Sequence, residues 1–333
     1  MRLFYGHDRV PEPGEPVAGG TAKFQRLASR FPNSPTDFTL LYVSTTWLPR
    51  DIRPLLALAG RRGAPIVLNQ DGVAYPGWAG DATEELNRPH RRALLAADHV
   101  LYQSDFSKLS ADTFLAEPRG SWEVLRNAVD VARFTPAAGA PPGGPVLLLA
   151  GDQTQAYRLE LALRTFAHVL EAEPAARLLV AGRLVSSALP LLAELGIAER
   201  VELVGRYSQR DAPALIRRAH LLLHTKVKDP CPSAVIEAMA CGLPVVYPAS
   251  GGTVELVGAE AGVGVPHPDS WERDEPPTPE ALAEAVVTVL AARPSYAAAA
   301  RKRAVERFSL EPWLERHEEL FSELTPRPRS RPS

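Results

Sequence analysis

The sequence predicts two α/β domains, each a doubly wound parallel sheet, that face one another across a cleft. Short apolar runs recur along the chain and alternate with helical patterns, as in βαβ units. The runs form two series, and a segment rich in Pro and Gly, TPAAGAPPGGP (135–145), separates them. The length of 333 residues also suits two domains of about 150 residues better than one core.

The predicted strands are apolar throughout, which indicates strands buried on both faces of a sheet. The first series is RLFYG (2–6), FTLLYVS (38–44), APIVLNQ (64–70), HVLYQS (99–104) and WEVLRN (122–127). The second series is PVLLLAG (145–151), ARLLVAG (176–182), RVELVG (200–205), HLLLHT (220–225) and LPVVYP (243–248). Ligands of such sheets bind beyond the carboxyl ends of the strands, so we expect a ligand in the cleft between the domains.

Two helical segments are predicted near the end of the chain. The segment 278–291 opens with Thr278 at the N-cap and Pro279 at the first helical position. The segment 309–324 has one apolar stripe, formed by Trp313, Leu314, Leu320, Phe321 and Leu324. The predicted division is a first domain at 1–135, a linker at 136–145, a second domain at 146–307, a final helix at 308–325 that packs back on the first domain, and a disordered tail at 326–333.

Composition excludes several classes of protein. A formal charge of −2 argues against a nucleic-acid-binding protein. The two cysteines give no disulfide framework, the N-terminal residues lack the apolar core of a signal peptide, and no apolar run is long enough to span a bilayer. We therefore expect a cytoplasmic protein, with at most peripheral contact at the inner face of the membrane. The sequence leaves its oligomeric state open.

The stretch KVKDPCPSAVIEAMACGLPVVYPASGGTVELV (226–257) carries the most specific chemistry. A helix that begins near Ser233 directs free N–H groups of Ser233, Ala234 and Val235 toward the cleft, a suitable site for a diphosphate. Glu237, about one turn into the helix, can accept hydrogen bonds from two ribose hydroxyls. Asp229, in the preceding loop, can do the same for hydroxyls of a sugar ring. The two acids would then bracket a nucleotide-diphosphate sugar.

Two other segments supply candidate residues at the cleft. Gly19 and Gly20 allow close backbone approach to a phosphate or a reacting sugar, and Thr21 and Lys23 follow them at the start of a helix. NQDGVAYPGW (69–78) ends the third strand; its polar side chains suit sugar hydroxyls and its aromatic side chains can stack on a pyranose ring. These are Asn69, Gln70, Asp71, Tyr75 and Trp78. A plain turn explains the 69–78 segment equally well. It would be the favoured interpretation of a lone glycine pair, but the position between the first strand and the first helix favours a functional role. Ser104, after the next strand, is expected to cap a helix.

The stretch from Asp229 to Val257 resembles the donor-binding signature of the retaining GT-B glycosyltransferases of family GT4, the glycosyl transferases group 1. That signature is an acid, seven residues, Glu, then Ala-Met-Ala-Cys-Gly-Leu-Pro-Val-Val and a Gly-Gly before Glu-Leu-Val. GGTAKFQRLA (19–28), VLRNAVDVARFTP (124–136) and the Trp-containing last helix resemble further parts of the family in the same order. The resemblance implies the GT-B fold and transfer of a sugar from a nucleotide sugar to a hydroxyl acceptor with retention of configuration. The acceptors of the family are polysaccharides, lipid-linked glycans or small molecules.

The resemblance also assigns roles by position. It makes Asp229 the sugar contact, although the family usually has Glu there. The family often has a His that contacts the transferred sugar, and this chain offers Gln70 near that position. Asp152 and Tyr157 stand where the family has the Arg and Lys that neutralise the leaving diphosphate. Arg158, Lys226 and Lys228 are the candidate replacements, and Tyr207 is a further candidate for contact with the nucleotide.

Neither a metal nor a resident cofactor is expected, because the sequence has no Asp-x-Asp, HExxH or paired CxxC motif and GT-B enzymes usually work without metal. Two alternatives remain open. One is a GT-B nucleotide-sugar epimerase, and the other is a non-catalytic protein that binds a nucleotide sugar. The replaced Arg and Lys positions favour the second alternative. A Rossmann dehydrogenase is disfavoured, since no G-x-G-x-x-G follows a strand.

Overall fold

The computed structural model describes residues 1–17, 19–139 and 143–325. The predicted tail at 326–333 and residues 140–142 of the predicted linker lie outside them. The described part of the chain folds around two sheets, both entirely parallel. This agrees with the predicted fold class.

The first sheet has five strands in the order β1-β2-β3-β4-β5. Its strands are β1 (Leu3–Phe4), β2 (Leu40–Ser44), β3 (Ile66–Gln70), β4 (His99–Tyr102) and β5 (Ser121–Val124). The helices of this half are α1 (Gly19–Ala28), α2 (Arg53–Arg62), α3 (Pro76–Ala79), α4 (Thr83–Ala96) and α5 (Asp105–Phe114). Helix α1 packs on one face of the sheet, and α2, α4 and α5 pack on the other. Side chains that alternate along each strand thus enter two separate layers of core.

The second sheet has six strands in the order β11-β10-β9-β6-β7-β8. Its strands are β6 (Val146–Ala150), β7 (Arg177–Ala181), β8 (Val201–Gly205), β9 (Leu221–Leu223), β10 (Val245–Pro248) and β11 (Gly262–Val265). Its helices are α6 (Ala156–Ala172), α7 (Leu189–Leu195), α8 (Ala212–Ile216), α9 (Ser233–Ala240), α10 (Thr253–Val257), α11 (Pro279–Ala291) and α12 (Arg293–Arg307). The strand order reverses between β6 and β9. Ligands of doubly wound sheets bind at such a switch point, beyond the carboxyl ends of the two strands.

All ten apolar runs contain strands, with one difference in burial. Strands β5 and β8, each at one edge of its sheet, are half exposed instead of buried on both faces. Trp122 on β5 is 49% exposed and Leu203 on β8 is 42% exposed.

Two elements have no counterpart among the predicted ones. Strand β11 (GVGV) pairs closely with β10, and a Cβ at Gly262 would overlap the carbonyl oxygen of Val245. Glycine permits this approach but lowers strand propensity, so the pattern does not indicate a strand. Helix α12 is rich in Ala and Arg and presents only two fully buried side chains, Ala300 and Ala304. It therefore lacks the apolar stripe from which a helix is predicted.

The last helix, α13 (Leu310–Leu324), returns to the first half of the chain. Its apolar stripe packs against Phe24 and Leu27 of α1 and against Tyr42 of β2. The buried stripe residues are Trp313, Leu314, Leu320 and Phe321. None of the helices in the described ranges is long and apolar enough to cross a membrane.

Candidate active site

A cleft of about 660 Å³ lies between the two sheets. Its walls are the loops after β6 and β9 and the first turn of α9 on one side, and the first turn of α1 with the loops after β2 and β3 on the other. A smaller pocket of about 50 Å³ adjoins it. Gly19, Gly151, Asp152, Ser233 and Ala234 line both spaces. The switch point of the second sheet therefore opens into a two-part cavity.

Helix α9 begins at the junction of the two spaces. Its N-cap is Pro232, whose side chain cannot cap the helix, so the N–H groups of Ser233 and Ala234 are left for a ligand, whereas the Val235 N–H donates to the Pro232 carbonyl over 3.1 Å. Ser233 and Ala234 line the cleft. Val235, which was predicted to offer its N–H there, does not: that N–H bonds within the helix end and the side chain lies in the core of the second sheet. This helix end favours an anionic group at the point where the cleft and the smaller pocket meet.

Asp229 lies in the cleft wall with its side chain 13% exposed. Its carboxylate is 3.4 Å from Lys226 Nζ and 3.5 Å from His224 Nε2. Burial alone would raise the pKa of Asp229, but the charge of Lys226 and the contact with His224 hold the pKa well below its usual range. The group is therefore an ionised acceptor at neutral pH, suited to sugar hydroxyls.

The loop that carries Asp229 is fixed by the Gly-Gly turn after β10. The N–H of Gly252 donates to the Asp229 carbonyl over 2.9 Å, and the Lys228 N–H donates to Ser250 Oγ over 3.1 Å. Gly251 has φ of 69°, and a Cβ there would lie 2.7 Å from the Asp229 backbone nitrogen. The contact thus requires glycine and gives a structural reason for the Ser-Gly-Gly of the sequence.

Glu237 is buried one turn into α9 and lines the smaller pocket together with Tyr207. Its Oε1 accepts hydrogen bonds from Arg26 of α1 over 2.6 Å and from Gln209 Nε2 over 3.1 Å. Burial raises the pKa of Glu237, and the Arg26 guanidinium opposes this rise. Arg26, which the sequence analysis did not single out, therefore links the two halves of the chain at this carboxylate.

The cations of the cleft differ in their availability. Arg158 is buried, donates from one guanidinium nitrogen to the Asp152 carbonyl over 2.8 Å, and has no hydrogen-bond partner for its Nε among the described residues. Lys226 is 32% exposed beside Asp229. Lys228 instead approaches two acids, Asp274 at 3.3 Å and Asp269 at 3.6 Å. Arg158 and Lys226 are therefore the cations nearest to a ligand held by Asp229.

The residues at the family's Arg and Lys positions perform other tasks. The Asp152 carboxylate accepts from the Arg183 N–H over 2.9 Å and lines both cavities. The Tyr157 hydroxyl accepts from the Val227 N–H over 3.2 Å and so holds the loop before Asp229. Neither residue brings positive charge to the cleft.

The glycine pair lies where α1 meets the cleft. A Cβ at Gly20 would overlap the Thr46 side chain, so α1 approaches the loop after β2 only because this residue is glycine. A Cβ at Gly19 would be 4.0 Å from Ser233 Cβ, which places the first turns of α1 and α9 opposite each other. Thr21 lies in the first turn of α1 but does not line the cleft.

A buried polar network supports Asp71, whose carboxylate lines the cleft. It accepts from Ser44 Oγ over 2.8 Å and also contacts the Lys23 ammonium and the Gln103 amide. The Lys23 ammonium donates to Asn69 Oδ1 over 2.7 Å. Lys23 and Asn69 are enclosed beneath the cleft wall and do not line it. They hold Asp71 in place instead of contacting the cavity themselves.

Gln70 lies away from the cleft. Successive strand residues point to opposite faces of a sheet, and the fully buried Gln70 side chain turns back to donate to the Gly72 carbonyl over 3.0 Å. Two histidines line the cleft instead: His90 of α4 and His224 after β9. Burial lowers the pKa of both, and His90 Nδ1 has no partner among the described residues. His224 ends a predicted strand, but no local pattern marks His90.

Within the described ranges, no group of three or more His, Cys, Asp or Glu side chains is arranged to hold a metal ion. Cys231 and Cys241 are both free and buried. Asn127 donates to the Cys231 carbonyl over 3.0 Å, which joins the end of the first half to the loop before α9.

Comparison with protein families assigns the chain. Residues 131–306, more than half of the 333-residue chain, match the model of the glycosyl transferases group 1. The chain belongs to this family of sugar-transferring enzymes. This agrees with the resemblance found in the sequence.

Two curated relatives are D-inositol 3-phosphate glycosyltransferases. The protein from Salinispora arenicola (strain CNS-205) is 31% identical over 160 residues, which cover 40% of this chain and 36% of the relative. The protein from Mycobacterium sp. (strain KMS) is 32% identical over 145 residues, which cover 39% of this chain and 32% of the relative. The aligned part is thus about a third of the length of these relatives.

Solved structures of similar fold cover much more of the chain. Sucrose-phosphate synthase from Thermosynechococcus elongatus superposes with a TM-score of 0.76 at 17% identity, over 97% of this chain and 99% of that one. Anabaena HepE, solved in complex with UDP-glucose, superposes with a TM-score of 0.69 at 18% identity, over 91% of this chain and 81% of that one. These likenesses establish the GT-B fold.

Proposed function

We propose that the protein is a retaining glycosyltransferase that moves a sugar from a nucleotide-diphosphate sugar to a hydroxyl acceptor. The observation that carries the proposal is the placement of Asp229 and Glu237 on either side of the first turn of α9, one in the large cleft and one in the smaller pocket. A donor of this class has a sugar, an anionic diphosphate and a ribose in the same order. The UDP-glucose complex of HepE, which has the same fold, supports such a donor.

In the proposed complex each part of the donor meets a matching group. The diphosphate lies at the N–H groups of Ser233 and Ala234, where the helix end favours negative charge. The ribose hydroxyls donate to Glu237, and the nucleoside lies beside Tyr207. The hydroxyls of the transferred sugar donate to Asp229, whose depressed pKa keeps it ionised.

The reaction breaks the bond between the anomeric carbon and the phosphate oxygen and forms a bond from that carbon to the acceptor oxygen. The main catalytic requirement is to stabilise the charge that grows on the departing diphosphate. Arg158 and Lys226 are the cations placed to do so. Attack from the face that the diphosphate leaves retains the configuration, and the departing phosphate takes the proton of the acceptor hydroxyl.

A non-catalytic nucleotide-sugar-binding protein is the second candidate. The observation in its favour is Asp152, a carboxylate in the wall shared by both cavities at the position where the family has a cationic Arg. Such a protein would bind the donor without cleaving it, so release of nucleoside diphosphate distinguishes the two candidates.

The first test is a thermal-shift panel of UDP-, GDP-, ADP- and TDP-sugars without added metal. We expect one nucleotide series to raise the Tm of the wild-type protein and to have little effect on Glu237→Gln, since the amide cannot accept charge-assisted hydrogen bonds from the ribose. The variant keeps the shape of the side chain beside Arg26 and so limits damage to the fold.

Glu260→Gln is the matched control, because Glu260 is an exposed glutamate of the same domain outside both cavities. It should respond to the nucleotide as the wild type does. A folded wild-type protein that none of the four series stabilises would contradict the proposed function.

A further inference from the structure

The proposed function leaves the acceptor unspecified, and one apolar wall of the cleft restricts its chemistry. This wall, here called the apolar wall, consists of Val73, Tyr75, Trp78, Leu86 and Phe106 from the first half of the chain and Trp271 from the second. Trp78 is 46% exposed and Leu86 is 42% exposed, so the apolar wall keeps apolar surface open to solvent. Their exposed faces are available to a ligand.

The apolar wall is held in a fixed shape. Trp271 stacks on Phe106 with ring centroids 5.5 Å apart and meets Tyr75 edge-on at 5.4 Å. The Gly77 N–H donates to the Trp271 carbonyl over 2.7 Å, and the Tyr75 hydroxyl donates to Asp274 over 2.9 Å. The loop that bears Trp271 is thus fastened across the mouth of the cleft, and the aromatic surface is already formed before an acceptor arrives.

Charge is distributed unevenly across the cleft. Among the described residues, the first half of the chain contributes no Lys or Arg to its lining, and Asp71 is the acid it supplies there. The lining cations are Arg158, Lys226 and Lys228, all from the second half. Lys228 is paired with Asp274 and Asp269, and the other two lie near Asp229 at the donor. On its own side a phosphate of the acceptor would therefore meet Asp71, already paired with the buried Lys23, and no free cation among the described lining residues.

We propose that the acceptor is a neutral hydroxyl compound that carries an apolar or aromatic group, seated against Trp78 and Leu86. A flat ring can stack on the indole of Trp78 while its hydroxyl points toward the donor. This inference rests on the proposed transferase function. It separates the chain from the curated relatives named for D-inositol 3-phosphate, an anionic acceptor.

The test measures binding by ligand-observed NMR in the presence of the nucleotide that the thermal-shift panel identifies. The probes are the 4-nitrophenyl glycosides of glucose, galactose and mannose, the three free sugars and their 6-phosphates. We expect at least one aryl glycoside to bind more tightly than its free sugar and its phosphate. Trp78→Ala should raise the Kd of that glycoside about tenfold, as expected from loss of a stacked aromatic face.

Two variants guard against a merely structural effect. Trp78→Phe keeps an aromatic face and should restore most of the affinity. Trp122→Ala removes another half-exposed indole, 49% exposed on β5 and outside the cleft, and should leave the Kd unchanged. Nucleotide binding is measured in the same samples and should be equal in all variants.

Three results would overturn the inference: tighter binding of the sugar phosphates, no binding of any aryl glycoside, or equal effects of Trp78→Ala and Trp122→Ala. Each of them leaves the proposed function intact if the nucleotide sugar still binds. A wild-type protein that binds no nucleotide sugar would instead remove the proposed function, together with the inference that rests on it.

Discussion

Arg158 is the residue on which the proposed chemistry depends most. The first strand of the second sheet leads to Asp152 at a position where the family has a cation, so the positive charge must come from another residue. Arg158, in the first turn of α6, lines the cleft, and its buried Nε has no partner among the described residues. A buried guanidinium with unused donors is suited to an oxyanion that forms during the reaction.

Arg158→Met is therefore expected to lower kcat about a hundredfold, the cost of removing one charge-stabilising donor, with a smaller change in the Kd of the donor. Steady-state kinetics and a donor titration measure the two quantities. Arg164→Met, on the same helix but paired with Glu160 at the surface, is the control and should behave as the wild type. An unchanged kcat in Arg158→Met would mean that Lys226 alone neutralises the diphosphate.

Among single residues, the sequence predicts those whose functional partners lie close to them in the chain. Asp229, Glu237 and the helix start at Ser233 lie within nine residues of one another, and their spacing alone places them around one helix end. Arg26 reaches Glu237 and His90 reaches the cleft only through the packing of α1 and α4, which no neighbouring residue indicates. Lys23 of α1 and Asn69 of β3 were predicted to contact a ligand but belong to a buried network, because a polar side chain near the cleft can serve either purpose.

Helix α13 packs against the first sheet beneath the cleft. We expect this contact to be sensitive to acid because of His317. Its Nδ1–H donates to the Trp313 carbonyl over 2.7 Å, and the Tyr42 hydroxyl donates to its Nε2 over 3.3 Å. Tyr42 in turn accepts from Asn69 over 3.1 Å. The chain of hydrogen bonds requires the neutral imidazole.

Burial lowers the pKa of His317 from its ordinary value of 6.5 to about 4. As the pH falls, the unfolded chain therefore takes up a proton at His317 before the native protein does. The contribution of neutral His317 to the free energy of unfolding is complete above the unfolded pKa and is lost as the pH falls toward the native pKa. The loss between the two pKa values is about 3 kcal/mol for this group. The free energy of unfolding of His317→Gln should thus fall less between pH 7 and pH 4 than that of the wild type.

Urea unfolding at a series of pH values measures this difference. His168→Gln, a change at a histidine on the outer side of α6, serves as the control and should keep the wild-type slope. Equal slopes for His317→Gln and the wild type would show that α13 does not carry the acid sensitivity.

Helices and strands could be predicted where the sequence carries one clear signal, such as an apolar run or a capping side chain. Ten buried or half-buried strands were predicted from their apolar runs. Two helix caps were also predicted: Thr278 accepts from the Ala281 N–H, and Ser104 accepts from the Ser107 N–H. Strand β11 and helix α12 lack such a signal. The first depends on close backbone pairing of glycines, and the second on Ala residues that fit tightly against α9.

The whole molecule is organised by contacts across the cleft. Glu255 of α10 accepts from the Asp105 and Phe106 N–H groups at the start of α5, over 3.0 Å and 2.8 Å. This carboxylate caps a helix of the opposite domain. Together with the contact between Arg26 and Glu237, this cap holds the two domains against each other on either side of the site. The sequence predicts two domains from their separate cores, but such pairings join residues more than a hundred positions apart and leave no local trace.

The cleft is proposed to hold a nucleotide sugar and to cleave it. The most direct measurement is the release of nucleoside diphosphate from the bound donor, by the wild-type protein and by Asp229→Asn. We predict release by the wild type, slow to water and faster with an aryl glycoside, and near loss of release in Asp229→Asn with nucleotide binding retained. In contrast, the wild-type protein could bind the donor tightly and leave it intact under both conditions. That result would exclude the proposed transferase activity and identify a nucleotide-sugar-binding protein.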